Sequence, residues 1–313
     1  MTLAPPAPAP APASCLEARI LALLLPYHRT AGPAAPDPAR HARQLQRIRR
    51  FTDAGEPVVL TLPGFPCKSP NPAKVLGRLP DEGERLSLAF LDGLCARIGE
   101  LYAPGARMVI CSDGHIFADS IGVSDEDVDA YGDELRALIR REGLRHLDTF
   151  DLRDVHGDLG HDAKRRLVTD AYAPSVEELR AKVRSDEETA RLYRGITRFL
   201  VEDTAHHTGS RSALQRACRA RAYEVIARSQ AWGALVADRH PDAVRLSIHP
   251  QPVGGEKFGI RLLECADVWA TPWHTAVLKD AAGRARLMRR ADAERLGRLV
   301  LRDGRPSHFE ATT

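Results

Sequence analysis

Pro57-Val-Val-Leu-Thr-Leu-Pro63-Gly-Phe-Pro-Cys-Lys-Ser-Pro-Asn-Pro-Ala-Lys74-Val-Leu-Gly77 is the stretch on which the reading of the chain turns. Its opening, Pro57 to Leu62, is an apolar, β-branched run that predicts a buried strand. The residues beyond Leu62 cannot be helix or central strand, because Pro63, Pro66, Pro70 and Pro72 each fix φ and restrict the residue before them. A strand therefore delivers a rigid loop, and such loops at strand ends are where sites are built. The same composition also fits a Pro-rich surface turn. Cys67 inside the loop is open to two readings, a buried small hydrophobe or a reactive thiol.

Downstream the pattern alternates. Leu86, Phe90, Leu94 and Ile98 sit at helical spacing within Glu84 to Leu101, and Tyr102-Ala-Pro-Gly-Ala106 stops that helix. Arg107 to Cys111 is short and apolar enough for a buried strand, and it ends in Ser112-Asp113-Gly114-His115. Strand, loop, helix, strand, loop implies right-handed crossovers and a parallel sheet covered by helices. A helix from Ser124 to Arg141 with an acidic first turn precedes a weaker strand, His146 to Phe150. Upstream, residues 1–13 predict a disordered Ala/Pro tail, Ser14 a helix cap, and His41 to Phe51 a second helix. Residues 151–240 read as mainly helical, with a capping box at Ser175 and Glu178. His206 and His207 are adjacent and so do not face one way as metal ligands would. Strand character returns at Ala243 to Ile248. Lys257 to Leu263 is expected to run back antiparallel, and Thr275 to Lys279 likewise, forming a hairpin with Arg284 to Met288.

A chain of 313 residues suits one α/β domain, residues 14–313, behind the tail. Its formal net charge of +3 and the lack of a long basic block speak against nucleic acid. The longest apolar run, Ile20 to Leu25, is too short to cross a membrane and has no basic segment before it, so the expected location is cytoplasmic. Six scattered cysteines form no CxxC pair and suggest neither a zinc site nor a disulfide framework. Six of the 45 basic residues are lysine, and three of these are Lys68, Lys74 and Lys257. An ammonium can change protonation state or bind phosphate as a point charge, which guanidinium does less readily.

Ligands of open parallel sheets bind at the carboxyl ends of the strands. Three strands here deliver polar residues to that end: Pro63 to Lys74, Ser112 to His115, and His249-Pro250. With an antiparallel return Lys257 also starts there. The convergent set is Lys68, Lys74, Asp113, His115, Arg245, His249, Lys257 and His274. Several cations with one carboxylate suit an anionic, phosphorylated substrate, and the histidines with Asp113 suit proton transfer near neutral pH. Taken singly, Asp113 also fits a turn, His249 a strand terminator and Arg245 an edge salt bridge.

The Leu62 to Gly77 stretch, Cys111-Ser-Asp-Gly-His-Ile-Phe-Ala-Asp119, Arg245-Leu-Ser-Ile-His-Pro250 with Lys257-Phe-Gly-Ile260, and Thr271-Pro-Trp-His274 strongly resemble the isocyanide (isonitrile) synthase family. That group is also described as pyoverdine/dityrosine biosynthesis proteins, and the resemblance runs from about residue 50 to Phe309. It implies a Rossmann-like α/β sheet, in agreement with the residue pattern, which gives a mostly parallel sheet with helices on both faces, antiparallel strands in the C-terminal part and a helical insertion. The implied reaction converts the α-amine of an amino acid, tryptophan or tyrosine, to an isonitrile. Ribulose 5-phosphate is the implied carbon donor, without metal or organic cofactor, and a separate iron- and 2-oxoglutarate-dependent oxygenase acts on the product. Residue chemistry on the matching motifs then assigns His115 as base with Asp113 as its orienter, and Lys74, His249 and His274 as further catalytic groups. Lys68, Arg245, Lys257, Ser112, Ser247, Phe65 and Trp273 become substrate-binding residues. An enzyme yielding an N-formyl amino acid and a non-catalytic sensor of a phosphorylated ligand stay open as alternatives.

Overall fold

In a computed structural model the chain is described over residues 15–30, 32–33, 37–204 and 207–312. The expected Ala/Pro tail, the Ser14 cap and His206 lie outside the described residues. Two helices open the chain, α1 (Leu16–Leu24) and α2 (Ala42–Ala54), the second ending where Gly55 turns left-handed at φ 68°. Then come β1 (Val58–Pro63), α3 (Glu82–Leu101), β2 (Ala106–Cys111), α4 (Gly114–Ile121), α5 (Asp125–Arg141) and β3 (Leu147–Phe150). The expected helical segment holds α6 (Leu152–His156), α7 (His161–Tyr172), α8 (Val176–Ser185), α9 (Glu187–Asp203) and α10 (Arg211–Arg239). The remainder comprises β4 (Val244–Ser247), β5 (Phe258–Gly259), β6 (Glu264–Cys265), β7 (Ala276–Lys279), β8 (Ala285–Met288), α11 (Arg290–Leu296), β9 (Gly297–Arg302) and β10 (Arg305–Ala311).

Capping chemistry sets the starts of the long helices. Asp81 and Glu84 close a capping box on α3, Ser175 and Glu178 one on α8, and Ser124 accepts from the Asp127 N–H at the acidic start of α5.

The main sheet has the order β3-β2-β1-β4-β5 and every pairing in it is parallel. Alternation along β2 shows why both faces need helices. Met108 and Ile110 belong to the core built with α1, α2, α3 and α5, whereas Val109 and Cys111 join Val168 of α7 and Trp232, Leu235 and Val236 of α10 on the other face.

Two expectations about strand direction are corrected. β5 runs parallel to β4, with Leu246 opposite Phe258, because the outer edge of β5 is already taken by an N-terminal segment. Arg29 donates its backbone N–H to Gly259 at 2.8 Å, Arg261 donates to Tyr27 at 2.8 Å, and His28 bridges Ile260 antiparallel. The segment 248–257, stiffened by Pro250 and Pro252 and turned at Gly254 (φ 73°), returns the chain along the sheet edge for a parallel pairing. β7 leaves the main sheet altogether. It makes the expected antiparallel hairpin with β8, Ala276 opposite Met288, inside a second sheet of order β6-β8-β7-β10-β9. The start of α3 binds this sheet, since Glu82 accepts from Lys279 of β7 at 2.5 Å and from Arg302 of β9 at 3.3 Å. Among the described residues no helix is long and apolar enough to cross a membrane.

The loop after β1 lies directly on the start of α4. A Cβ at Gly114 would fall 2.2 Å from the Pro66 carbonyl oxygen and 2.7 Å from Val128 Cγ1. Gly114→Ala is therefore expected to cost about 1–3 kcal/mol of stability through overpacking against backbone, read as a shifted urea midpoint. An unshifted midpoint would contradict the contact.

Candidate active site

The order 3-2-1-4-5 places a topological switch between β1 and β4, whose following loops part at the carboxyl edge of the sheet. Gly64 after β1 lies close to Trp273 and Ile248, a Cβ there falling 3.3 Å and 3.4 Å from their side chains. Phe65 holds φ 55°, a left-handed backbone that a bulky residue adopts only under surrounding constraint, and its ring lies 5.2 Å from that of Trp273. Both side chains are buried, so they form the wall behind the crevice rather than its lining.

Lys68, expected to bind substrate, is instead engaged by the protein itself. Its ammonium lies in the core 2.8 Å from Asp81 Oδ2, 2.8 Å from Glu84 Oε2 and 3.1 Å from the Pro272 carbonyl, so all three of its N–H donors are engaged. Burial alone would drive it neutral; the two carboxylates outweigh that and hold it charged. With the Ser69 N–H bonded to the Trp273 carbonyl at 2.9 Å, it fastens the β1 loop to the 271–274 turn. Cys67 beside it is buried, and burial pushes its thiol well above the ordinary range, so it is a small hydrophobe.

His115 is corrected too. Its ring does not meet Asp113: Nδ1 faces Asp125 Oδ1 at 3.1 Å and Nε2 faces Asp129 Oδ1 at 3.0 Å, while the ring stacks on His161 at 4.1 Å. Both carboxylates belong to α5, and each faces one ring nitrogen. That clasps α4 to α5, which the sequence reading missed because it placed His115 in a loop. Ligand atoms of His115, Asp125 and His161 lie within 4.8 Å of one another, as metal ligands would. The Arg165 guanidinium, however, spans both oxygens of Asp125 at 2.7 and 2.8 Å, and a cation would have to displace it. An open polar cleft of about 400 Å³ nearby, lined by Asp119, Asp162, Arg165 and Arg228, is likewise neutralised from within, through Arg165–Asp162 at 2.6 Å and Arg228–Asp119 at 2.7 Å.

The crevice itself gathers Asp113, His249, His274, Lys257, Arg245, Lys74 and a residue not anticipated, Asp203. Asp113 occupies the N-cap position of α4 but does not cap it, and its Oδ1 has no hydrogen-bond partner among the described residues. Burial lifts its carboxyl to about 7, against the pull of its own backbone N–H and of Lys257. His249 is solvent-exposed at its surface, yet burial, then the charges of Arg29 and Lys257, press its imidazole down to about 4. Ser247 Oγ accepts from the His249 N–H at 3.1 Å and fixes this turn. Ser112 donates its backbone N–H to Phe150 at 2.9 Å and so anchors the end of β2.

His274 is held from two sides. Its Nδ1 meets Thr271 Oγ1 at 2.9 Å and its Nε2 lies 3.6 Å from Asp203 Oδ2, with burial chiefly holding its pKa near 4. Asp203 is buried at the end of α9 and its other oxygen takes the Lys74 ammonium, so Lys74 is neutralised and serves to place the carboxylate. Nothing in Glu202-Asp203-Thr204 signals this, since Lys74 lies 129 residues away and His274 is likewise remote in sequence. Arg245 Nη2 donates to the Gly233 carbonyl at 3.3 Å and its Nη1 lies 3.5 Å from Glu256. Arg29, also missed, is buried and bonds the Ile248 carbonyl and, at 2.7 Å, the Ala270 carbonyl, bracing the two turns that carry His249 and His274.

Fold and crevice together define a doubly wound α/β protein with titratable side chains grouped near its switch point. The family profile described as pyoverdine/dityrosine biosynthesis protein matches residues 48–300. The chain belongs to that family, the isocyanide synthases. It is 46% identical over 308 residues to the L-tyrosine isonitrile synthase of Pseudomonas aeruginosa, across 94% of each chain. It is 43% identical over 276 residues to the L-tryptophan isonitrile synthase AmbI2 of Fischerella ambigua, across 87% of this chain and 83% of that one. The crystal structure of PvcA from Pseudomonas aeruginosa superposes with a TM-score of 0.88 at 45% identity, covering 95% of this chain and all (100%) of that one.

These contacts set two measurable outcomes. Lys68→Met strands two buried carboxylates and is expected to cost about 3–5 kcal/mol in urea unfolding; an unchanged midpoint with a raised KM would restore a binding role. Asp113 has a folded pKa of about 7 against an ordinary 3.8, so the folded state keeps a proton that the unfolded state releases, and stability falls as pH rises through that window. Asp113→Asn should therefore melt a few degrees above the parent at pH 8, the gap closing towards pH 4; an equal gap at both would refute the burial.

Proposed function

We propose that this chain is an amino acid isonitrile synthase that converts the α-amine of L-tyrosine or L-tryptophan to an isonitrile, with ribulose 5-phosphate as carbon donor. The observation that carries the reading is the near full-length likeness to synthases acting on those two amino acids. The crevice supports it, because among the described residues Asp113 Oδ1 and the Lys257 ammonium have no hydrogen-bond partner, while the neighbouring Lys68 and Lys74 are ion-paired with carboxylates.

Condensing an amine with a ketone needs a neutral amine, a base to take its proton and an acid to expel water. His249, with Arg29 and Lys257 beside it, is placed to accept the ammonium proton. Asp113, poised near 7, protonates the departing hydroxyl and can then take a proton from a sugar carbon. His274, oriented by Thr271 with Asp203 behind it, is the second acid/base for the later abstractions that cleave the sugar skeleton. Arg245 holds an anionic end of a substrate. A separate iron- and 2-oxoglutarate-dependent oxygenase as consumer of the product is part of the same proposal and rests on the family resemblance.

The test incubates the purified chain with ribulose 5-phosphate labelled at the ketone carbon and a panel of amino acids, following phosphate release and product mass. Label in the isonitrile of tyrosine or tryptophan is the expected result. Label in a formamide points to the N-formyl alternative, and its absence from every product rejects the donor.

A further inference from the structure

Lys257 is the lysine of the crevice that nothing holds. Lys68, Lys74 and Lys279 each touch a carboxylate, at Asp81 and Glu84, Asp203, and Glu82. Lys257 has no hydrogen-bond or ion-pair partner among the described residues. The parallel register that sets Leu246 opposite Phe258 puts Lys257 beside Arg245, on the face that α10 covers. There the helix offers Gly233, and a Cβ at that position would sit 3.8 Å from Lys257 Nζ. The amine therefore lies between helix backbone and a fixed guanidinium, within electrostatic reach of Asp113 and His249.

We infer that Lys257 is a covalent catalyst whose Nζ captures the ketone of the 2-keto sugar phosphate as a Schiff base, which the amino acid then displaces. This rests on the function proposed above. Nζ adds to the carbonyl carbon and the oxygen takes up a proton. Asp113 protonates the resulting hydroxyl, water leaves, and a protonated imine to Lys257 forms. The neutral amine of the amino acid adds to the same carbon, a proton passes from the incoming to the outgoing nitrogen, and the C–Nζ bond breaks. Lys257 is regenerated and the substrate imine is left, with one water released and no change of oxidation state.

Two further observations agree. Burial, then the adjacent Arg245 charge, lowers the pKa of Lys257, favouring the free amine, with Asp113 and Glu256 acting in the other direction. An imine is also chemistry that guanidinium does not perform, which accounts for a lysine here in a chain where only six of 45 basic residues are lysine.

The experiment incubates the full chain with ribulose 5-phosphate alone, reduces with cyanoborohydride, digests and locates the adduct by mass. A gain of one sugar phosphate less one oxygen on Lys257, suppressed when tyrosine or tryptophan is added before the reductant, is expected. Lys257→Arg keeps the charge but forms no imine, and should lose turnover on the order of a hundredfold or more with KM for the sugar phosphate changed only a few-fold. Isonitrile formation by the parent without an adduct at Lys257, an adduct spread over other lysines, or full turnover by Lys257→Arg would overturn the inference. Failure of the function itself reads differently: no amino acid gives an isonitrile, whatever the reductant traps.

Discussion

A lysine ammonium placed where water cannot reach it must be surrounded by acceptors, and the rest of this structure is arranged around that demand at Lys68. Its three partners come from the start of α3 and from the turn before β7, two segments far apart in sequence. Glu84 also accepts from the Asp81 N–H and from Tyr131 of α5, so the same carboxylate caps one helix and pins another. Two positions before it, Glu82 binds Arg85, Lys279 and Arg302, and against its burial the hydrogen bonds and charges of Arg85 and Lys279 hold the carboxyl at about 2. The first turn of α3 thus joins both sheets and both walls of the crevice. Replacing such a cluster by apolar residues need not destabilise a protein, but removing one member does.

What the sequence made legible depends on the range of the interactions. The parallel α/β core, the capped helices and the β7–β8 hairpin are written in local periodicity and turn chemistry, and they appear where expected. The direction of β5 was not, because it depends on Tyr27 to Arg29 occupying its edge across more than 200 residues. Asp113 and His249 each lie within electrostatic reach of Lys257, and His274 within reach of His249, although Lys257 arrives on a parallel strand and not on the antiparallel return expected of it. Which lysines are free and which are neutralised is decided by carboxylates elsewhere in the chain. For Lys68 a signal was present, since Pro80-Asp-Glu-Gly-Glu84 is a capping box beginning three residues before the helix was placed. For Asp203 there was none.

The crevice holds its groups at a cost to the fold. Asp113 forgoes the hydrogen bond that an N-cap residue normally makes, burial lowers the pKa of His274, and Phe65 occupies a backbone region that its side chain disfavours. Groups left unsatisfied by the protein are available to a substrate, and the wall of Phe65 and Trp273 keeps them in place.

The bracing by Arg29 bears on where the chain can be cut. The family profile begins at residue 48 and stops at 300, yet Arg29 and the bridge at His28 precede it and β10 lies beyond it. A fragment trimmed to those limits would expose the apolar surface that Ile20, Leu21 and Leu24 cover and would sever the strand joining β7 to β9. The recognisable segment and the folding unit are therefore different lengths of polypeptide, and shortened expression clones should be drawn from contacts rather than from similarity.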